Sequence, residues 1–118
     1  MPQGQVSQKQ VAESSFAAVE EELCSISQWM YENPELGFEE FEASERISSF
    51  LDRQGFDVTY PSHGLDTAFD ATVGTSGPRV VICCEYDALP EVGHACGHNI
   101  IATAAAGAGA AMVDIAED

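Results

Sequence analysis

Arg79–Asn99 reads RVVICCEYDALPEVGHACGHN and changes character twice. Arg79 to Glu85 is nearly continuous in apolar residues, as in a central strand covered on both faces. Tyr86 to Gly97 predicts a loop, and His98 or Asn99 opens a helix running towards the end of the chain. A strand, a loop and a helix in that order make one unit of an α/β layer. Open α/β sheets carry their sites beyond the carboxyl ends of the strands. The loop after Glu85 is therefore where chemistry is expected.

Upstream, Phe16, Val19, Leu23, Ile26 and Met30 step by three and four residues, which predicts one helix from about Glu13 to Tyr31. Its stripe spans too few heptads to argue for a coiled coil, so core packing is the reading. Asn33-Pro34 stops it. A second helix is predicted from about Glu39 to Gln54, with Ala43, Ile47, Phe50 and Leu51 on one face. Glu39, Glu40, Glu42 and Glu45 crowd its start, where the helix dipole favours them. Gly55 suits the position just past its end. Asp57–Tyr60 and Thr67–Gly74 then predict two strands, the second alternating as a half-buried one does. The order is α, α, β, β, β, α: part of a layered α/β domain, with helices flanking a mixed sheet. Residues 1–12 read as a polar leader and residues 13–118 as the folded portion. Ala102 to Ala111 is nearly all Ala and Gly, small enough for the last helix to lie close against a sheet.

The chain has 118 residues, 20 Asp and Glu against 4 Lys and Arg, and a formal charge of −16. That charge repels phosphate backbones and anionic membrane surfaces, so neither nucleic acid nor membrane is an expected partner. A 45% hydrophobic content still permits a core. Met1 to Ala12 lacks the basic start and apolar run of a secretory signal. Ile100 to Val113 is too short and too weakly apolar to span a bilayer. Cys83 and Cys84 are adjacent and point to opposite faces of a strand, so reduced thiols and a cytoplasmic location are expected. Cys24, Cys83 and Cys84 are expected in the core, and His63 in a solvated turn.

Two histidines, a cysteine and three carboxylates fall within Glu85–Asn99. A thiolate and an imidazole at Cys96 and His98, with Gly97 between them, can converge on one metal. Thiolate with imidazole suits zinc and disfavours magnesium or calcium. Asp87 can orient a ligand imidazole from behind. Two other readings stay open here. Cys96 can be a nucleophile activated by His94 or His98, or a structural thiol beside histidines that cap a helix.

Three stretches together resemble a known family. Asn33-Pro34-Glu35-Leu36-Gly37-Phe38-Glu39-Glu40 resembles the opening motif of the zinc-type amidohydrolases and dipeptidases, peptidase family M-twenty. Glu85-Tyr86-Asp87-Ala88-Leu89-Pro90 resembles that family's strand-end aspartate motif. His94-Ala95-Cys96-Gly97-His98-Asn99 resembles its H-A-C-G-H-[DN] metal motif. The order matches, and the likeness runs from about Trp29 to the end.

The resemblance implies the N-terminal part of a layered α/β metallohydrolase catalytic domain, cleaving an amide or dipeptide bond in a dipeptide or N-acyl amino acid. It implies Cys96 and His98 as metal ligands and Asp87 as the catalytic-site aspartate that supports them. Zinc is the implied cofactor, with manganese as the alternative, as one ion or two. Many relatives carry a metal-binding His where this chain has Glu85, so Glu85 receives no role, and none falls to His94. Family members continue through a Glu-Glu pair whose first member is the general base, further His and Glu ligands, and a dimerisation domain. The shortfall predicts a fragment or truncated product, inactive alone, whose full-length form is a homodimer. The competing expectations are a non-catalytic remnant or interaction module, and a thiol-dependent redox domain built on Cys96.

Overall fold

In the computed structural model, α1 (Gln8–Glu32) carries the apolar stripe read from the sequence, with Val19, Leu23, Ile26 and Met30 buried along it. The structure describes residues 6–116. The first five residues of the expected leader lie outside that span, as do Glu117 and Asp118. The helix starts at Gln8, ahead of the expected Glu13, because Ser7 and Gln10 form a capping box. Ser7 Oγ accepts from Gln10 N at 3.2 Å, and Gln10 Oε1 accepts from Ser7 N at 2.9 Å. It ends at Asn33, whose side chain returns to the Trp29 carbonyl at 2.9 Å, ahead of Pro34.

Helix α2 (Phe41–Arg53) buries Ala43, Ser44, Ile47, Ser48, Phe50 and Leu51. Gly55 follows it at φ 102°, a left-handed conformation open to glycine. Two three-residue strands come next: β1 (Asp57–Thr59) pairs antiparallel with β2 (Asp70–Thr72), with Asp57 opposite Thr72. Helix α3 (His98–Ala111) opens at His98, as expected, and breaks at Met112 before the short α4 (Val113–Ala116). Asp114 therefore stands in the first turn of α4. Among the described residues no helix is long and apolar enough to cross a membrane.

Two expectations are corrected. The small residues of α3 do not serve a sheet. They let α3 lie against α1: a Cβ on Gly107 would stand 2.8 Å from Leu23 Cδ1 and 2.9 Å from Phe16 Cε2. The predicted strand at Arg79–Glu85 is not formed either. Val80 and Val81 are 82% and 79% exposed. A strand buried on both faces takes its hydrogen bonds from neighbours on each edge, and among the described residues β1 and β2 pair only with each other. Mixed helix and a small sheet remain, compatible with an α/β class.

The core joins α1, α2 and α3: Val19, Leu23, Ile26 and Met30 meet Ile47, Phe50 and Leu51 and the alanines Ala102, Ala106 and Ala110. Tyr86, at the head of the candidate loop, belongs to the same cluster.

Candidate functional site

The loop from Tyr86 to Gly97 is tied down at four points. Tyr86 is buried, stacks on Phe69 with ring centroids 5.9 Å apart, and donates its hydroxyl to the Thr67 carbonyl. Ala88 N donates to the Glu35 carbonyl at 2.7 Å, beside a parallel bridge between Leu36 and Ala88. Leu89 and Gly93 exchange backbone bonds of 2.9 and 3.1 Å, closing a tight turn. Gly97 then caps α3 at φ 86°, where a side chain would be strained. Its carbonyl accepts from Ile101 N at 2.9 Å. Cys96 and His98 flank this left-handed residue.

Within that frame Asp87 and His98 meet. His98 Nδ1 lies 2.8 Å from the Asp87 carbonyl and 2.9 Å from Asp87 Oδ1. Both neighbours are acceptors, so the hydrogen-bond network assigns the proton to Nδ1 and leaves the lone pair on Nε2. That is the tautomer of a histidine that ligates through Nε2. The side chain of His98 is 20% exposed and that of Asp87 41%, so the ring is the better shielded of the two. Cys96 is exposed, two residues away. Among the described residues no hydrogen bond joins it to a histidine, the contact that nucleophile activation uses.

His94 is buried, and its Nδ1 has no hydrogen-bond partner among the described residues. Burial holds its pKa below the ordinary value, and the nearby His98 adds to that while Asp87 opposes it. Glu85 and Glu91 are exposed.

The donor set is incomplete as a metal shell. Among the described residues no group of three or more His, Cys, Asp or Glu side chains is gathered to hold an ion. The thiol of Cys96 and Nε2 of His98 suit two of the four positions that zinc takes. Beside Asp87 opens a cavity of about 290 Å³ lined by Phe38, Glu40, Leu65, Thr67 and Tyr86. Glu40 is one of its walls. It stands at the start of α2, as expected, and is buried there, accepting from Thr67 Oγ1 at 3.1 Å.

The expected core thiols divide differently. Cys24 and Cys83 are exposed: Cys24 lies off the buried stripe of α1, and Cys83 lies in the segment without strand partners. Only Cys84 is partly buried, its Sγ set 3.4 Å from the Ala102 carbonyl. Its pKa is pushed up to about 12, chiefly by burial and then by the charge of Glu85. His63 is exposed but not alone, since its Nε2 lies 2.6 Å from Asp70 Oδ2.

Sequence reasoning passed over Glu35. Its carboxylate caps α2, accepting from Ala43 N at 2.7 Å and Glu42 N at 3.2 Å. The available signal was a helix start with a glutamate, Glu40, at the cap and no Ser, Thr, Asp or Asn.

No family model matches the chain. Among curated proteins it is 40% identical over 110 residues to the Xaa-Arg dipeptidase of Mus musculus, covering 81% of this chain and 26% of that protein. It is 32% identical over 117 residues to a subunit of the p-aminobenzoyl-glutamate hydrolase of Escherichia coli (strain K12), covering 85% and 24%. It is 38% identical over 101 residues to IAA-amino acid hydrolase ILR1-like 6 of Arabidopsis thaliana, covering 73% and 21%. The chain spans about a quarter of the length of these curated relatives. All three relatives are hydrolases by name, and the likeness runs over most of this chain, which belongs to their enzyme family, the amidohydrolases and dipeptidases.

Proposed function

We propose that this chain is the N-terminal part of a layered α/β metallohydrolase catalytic domain. In that reading it supplies two metal ligands, Cys96 and His98, for hydrolysis of an amide bond in a small dipeptide or N-acyl amino acid. The observation that carries this reading is the Asp87–His98 pair, with bonds of 2.8 and 2.9 Å to a single ring nitrogen. A histidine held that way by a carboxylate has one free nitrogen, fixed in direction and made more basic. The names of the relatives point to the same class of substrate.

A bound zinc or manganese ion would polarise the scissile carbonyl and lower the pKa of a water. The chain's own residues prepare two ligands for it. Asp87 holds the His98 proton on Nδ1. Cys96 offers its thiolate from the turn before α3. The cavity beside Asp87, about 290 Å³, is near the lower bound for a small-ligand site. No general base is placed among these residues, so the 118-residue chain alone is expected to be inactive. The family-length form is expected to pair as a homodimer in the cytoplasm.

Metal removal tests this. A family-length protein carrying these residues should hydrolyse a dipeptide or N-acyl amino acid, lose that activity to a chelator, and recover it with zinc or manganese. Activity that survives the chelator, in protein shown to be free of metal, overturns the reading.

A further inference from the structure

The motif Asn33–Glu40 stood out in the sequence, yet it supplies no ligand. Its third residue, Glu35, is bound at both its ends. Its carboxylate receives Ala43 N at 2.7 Å and Glu42 N at 3.2 Å, in the first turn of α2. A carboxylate at that end of a helix meets unpaired N–H groups and the favourable end of the dipole, so these bonds are charge-assisted. Glu40, at the cap position itself, makes no such bond. The backbone of Glu35 faces the other way: its carbonyl receives Ala88 N at 2.7 Å, and Leu36 bridges Ala88. Ala88 is 2% exposed, so this bond is shielded from water. Ala88 directly follows Asp87, whose carbonyl and carboxylate both hold His98 Nδ1.

These contacts form one relay: first turn of α2, Glu35, Ala88, Asp87, His98. We propose that Glu35 is a positioning residue for the site. Its carboxylate, locked on α2, sets where its own carbonyl stands. That carbonyl fixes the backbone at 87–88, and through it the aim of Asp87 on His98. The relay touches neither substrate nor metal. Its bearing on catalysis rests on the metal-site reading above; the positioning itself does not.

A plain helix cap would lower stability and do no more, so the test reads His98. The 118-residue chain, labelled with nitrogen-15, is compared at one neutral pH with Glu35→Ala, with Glu35→Gln, and with Ile47→Val as a core truncation in the same helix. Two signals are followed: the His98 ring nitrogens, which report the tautomer, and hydrogen exchange at the Ala88 amide.

In the parent chain His98 should hold a single tautomer with the proton on Nδ1. In Glu35→Ala the ring nitrogens should move towards a mixture of tautomers. The Ala88 amide should exchange about tenfold faster than global unfolding accounts for, the scale of losing a charge-assisted anchor. Glu35→Gln, which keeps one acceptor, should fall between. Ile47→Val should lose stability and leave His98 unmoved. The proposal is overturned if both Glu35 variants leave His98 and Ala88 as in the parent, or if Ile47→Val shifts them as much. Should Glu35→Ala not fold, Glu35→Gln against Ile47→Val decides by the same two signals. A chain that fails to bind zinc while His98 responds as expected removes the metal reading and keeps the relay.

Discussion

His98 shows how much one side chain can say once its partner is known. With its Nδ1 proton shared between two Asp87 oxygens, only Nε2 remains for a ligand. Cys96-Gly97-His98 was legible in the sequence because the three residues are contiguous, and contiguity needs no fold. Asp87 was legible for its place at the end of an apolar run. Glu35 was not, because its role depends on a capping bond and a backbone contact made far along the chain. The pairing of His63 with Asp70 was hidden for the same reason. Cys84 permits a prediction at this scale. Its thiol is raised from 9.0 to about 12, first by burial and then by Glu85. Above pH 9 the unfolded chain therefore gives up a proton that the folded chain keeps. The contribution to stability is whole below pH 9 and lost as the pH rises towards 12. Tyr86 is raised too, mainly by burial, and adds its own alkaline loss. Thermal unfolding followed from pH 8 to 11 should show Cys84→Ala losing less stability over that range than the parent. Equal slopes would contradict the assignment.

Helices were legible from periodicity because the apolar stripe of a helix is a local property. The stripe of α1 matched residue for residue from Val19 to Met30, and the face of α2 did the same. The run Arg79–Glu85 was not legible in this way. A strand is completed by its neighbours, and none of the described residues pairs with it. The alanine-glycine helix was read as close-packing, rightly, and given the wrong partner: it lies on α1. Gly107 is where that approach is tightest, at 2.8 Å to Leu23 and 2.9 Å to Phe16 for an added Cβ. Replacing Gly107 by Val adds three carbons to that contact. Helix propensity returns only a few tenths of a kcal/mol, against about 1–3 kcal/mol for overpacking. Urea unfolding should therefore show a net loss of about 1–2 kcal/mol; an unchanged or raised midpoint would mean that α1 and α3 lie further apart than described.

At the scale of the whole molecule, the charge of −16 and the exposed apolar run from Val80 to Ile82 pull in opposite directions. Twelve of the 20 acidic residues lie ahead of Val58, most of those twelve on solvated helix surface. They say little about the site. The apolar run sits uncovered, an unpaired segment of the kind that folded proteins normally shield. On the function proposed above, Cys96 and His98 would supply two ligands of a metal site from one turn. Cobalt serves as a visible substitute for zinc, because thiolate coordination gives it a charge-transfer band in the near ultraviolet. The most direct measurement is a cobalt titration of the 118-residue chain and of four variants: Cys96→Ser, His98→Ala, Cys24→Ser and Cys83→Ser. The account predicts a saturable thiolate band in the parent and in the Cys24 and Cys83 variants, absent in Cys96→Ser and weakened in His98→Ala. A band that persists in Cys96→Ser, or no saturable band in the parent, would contradict it.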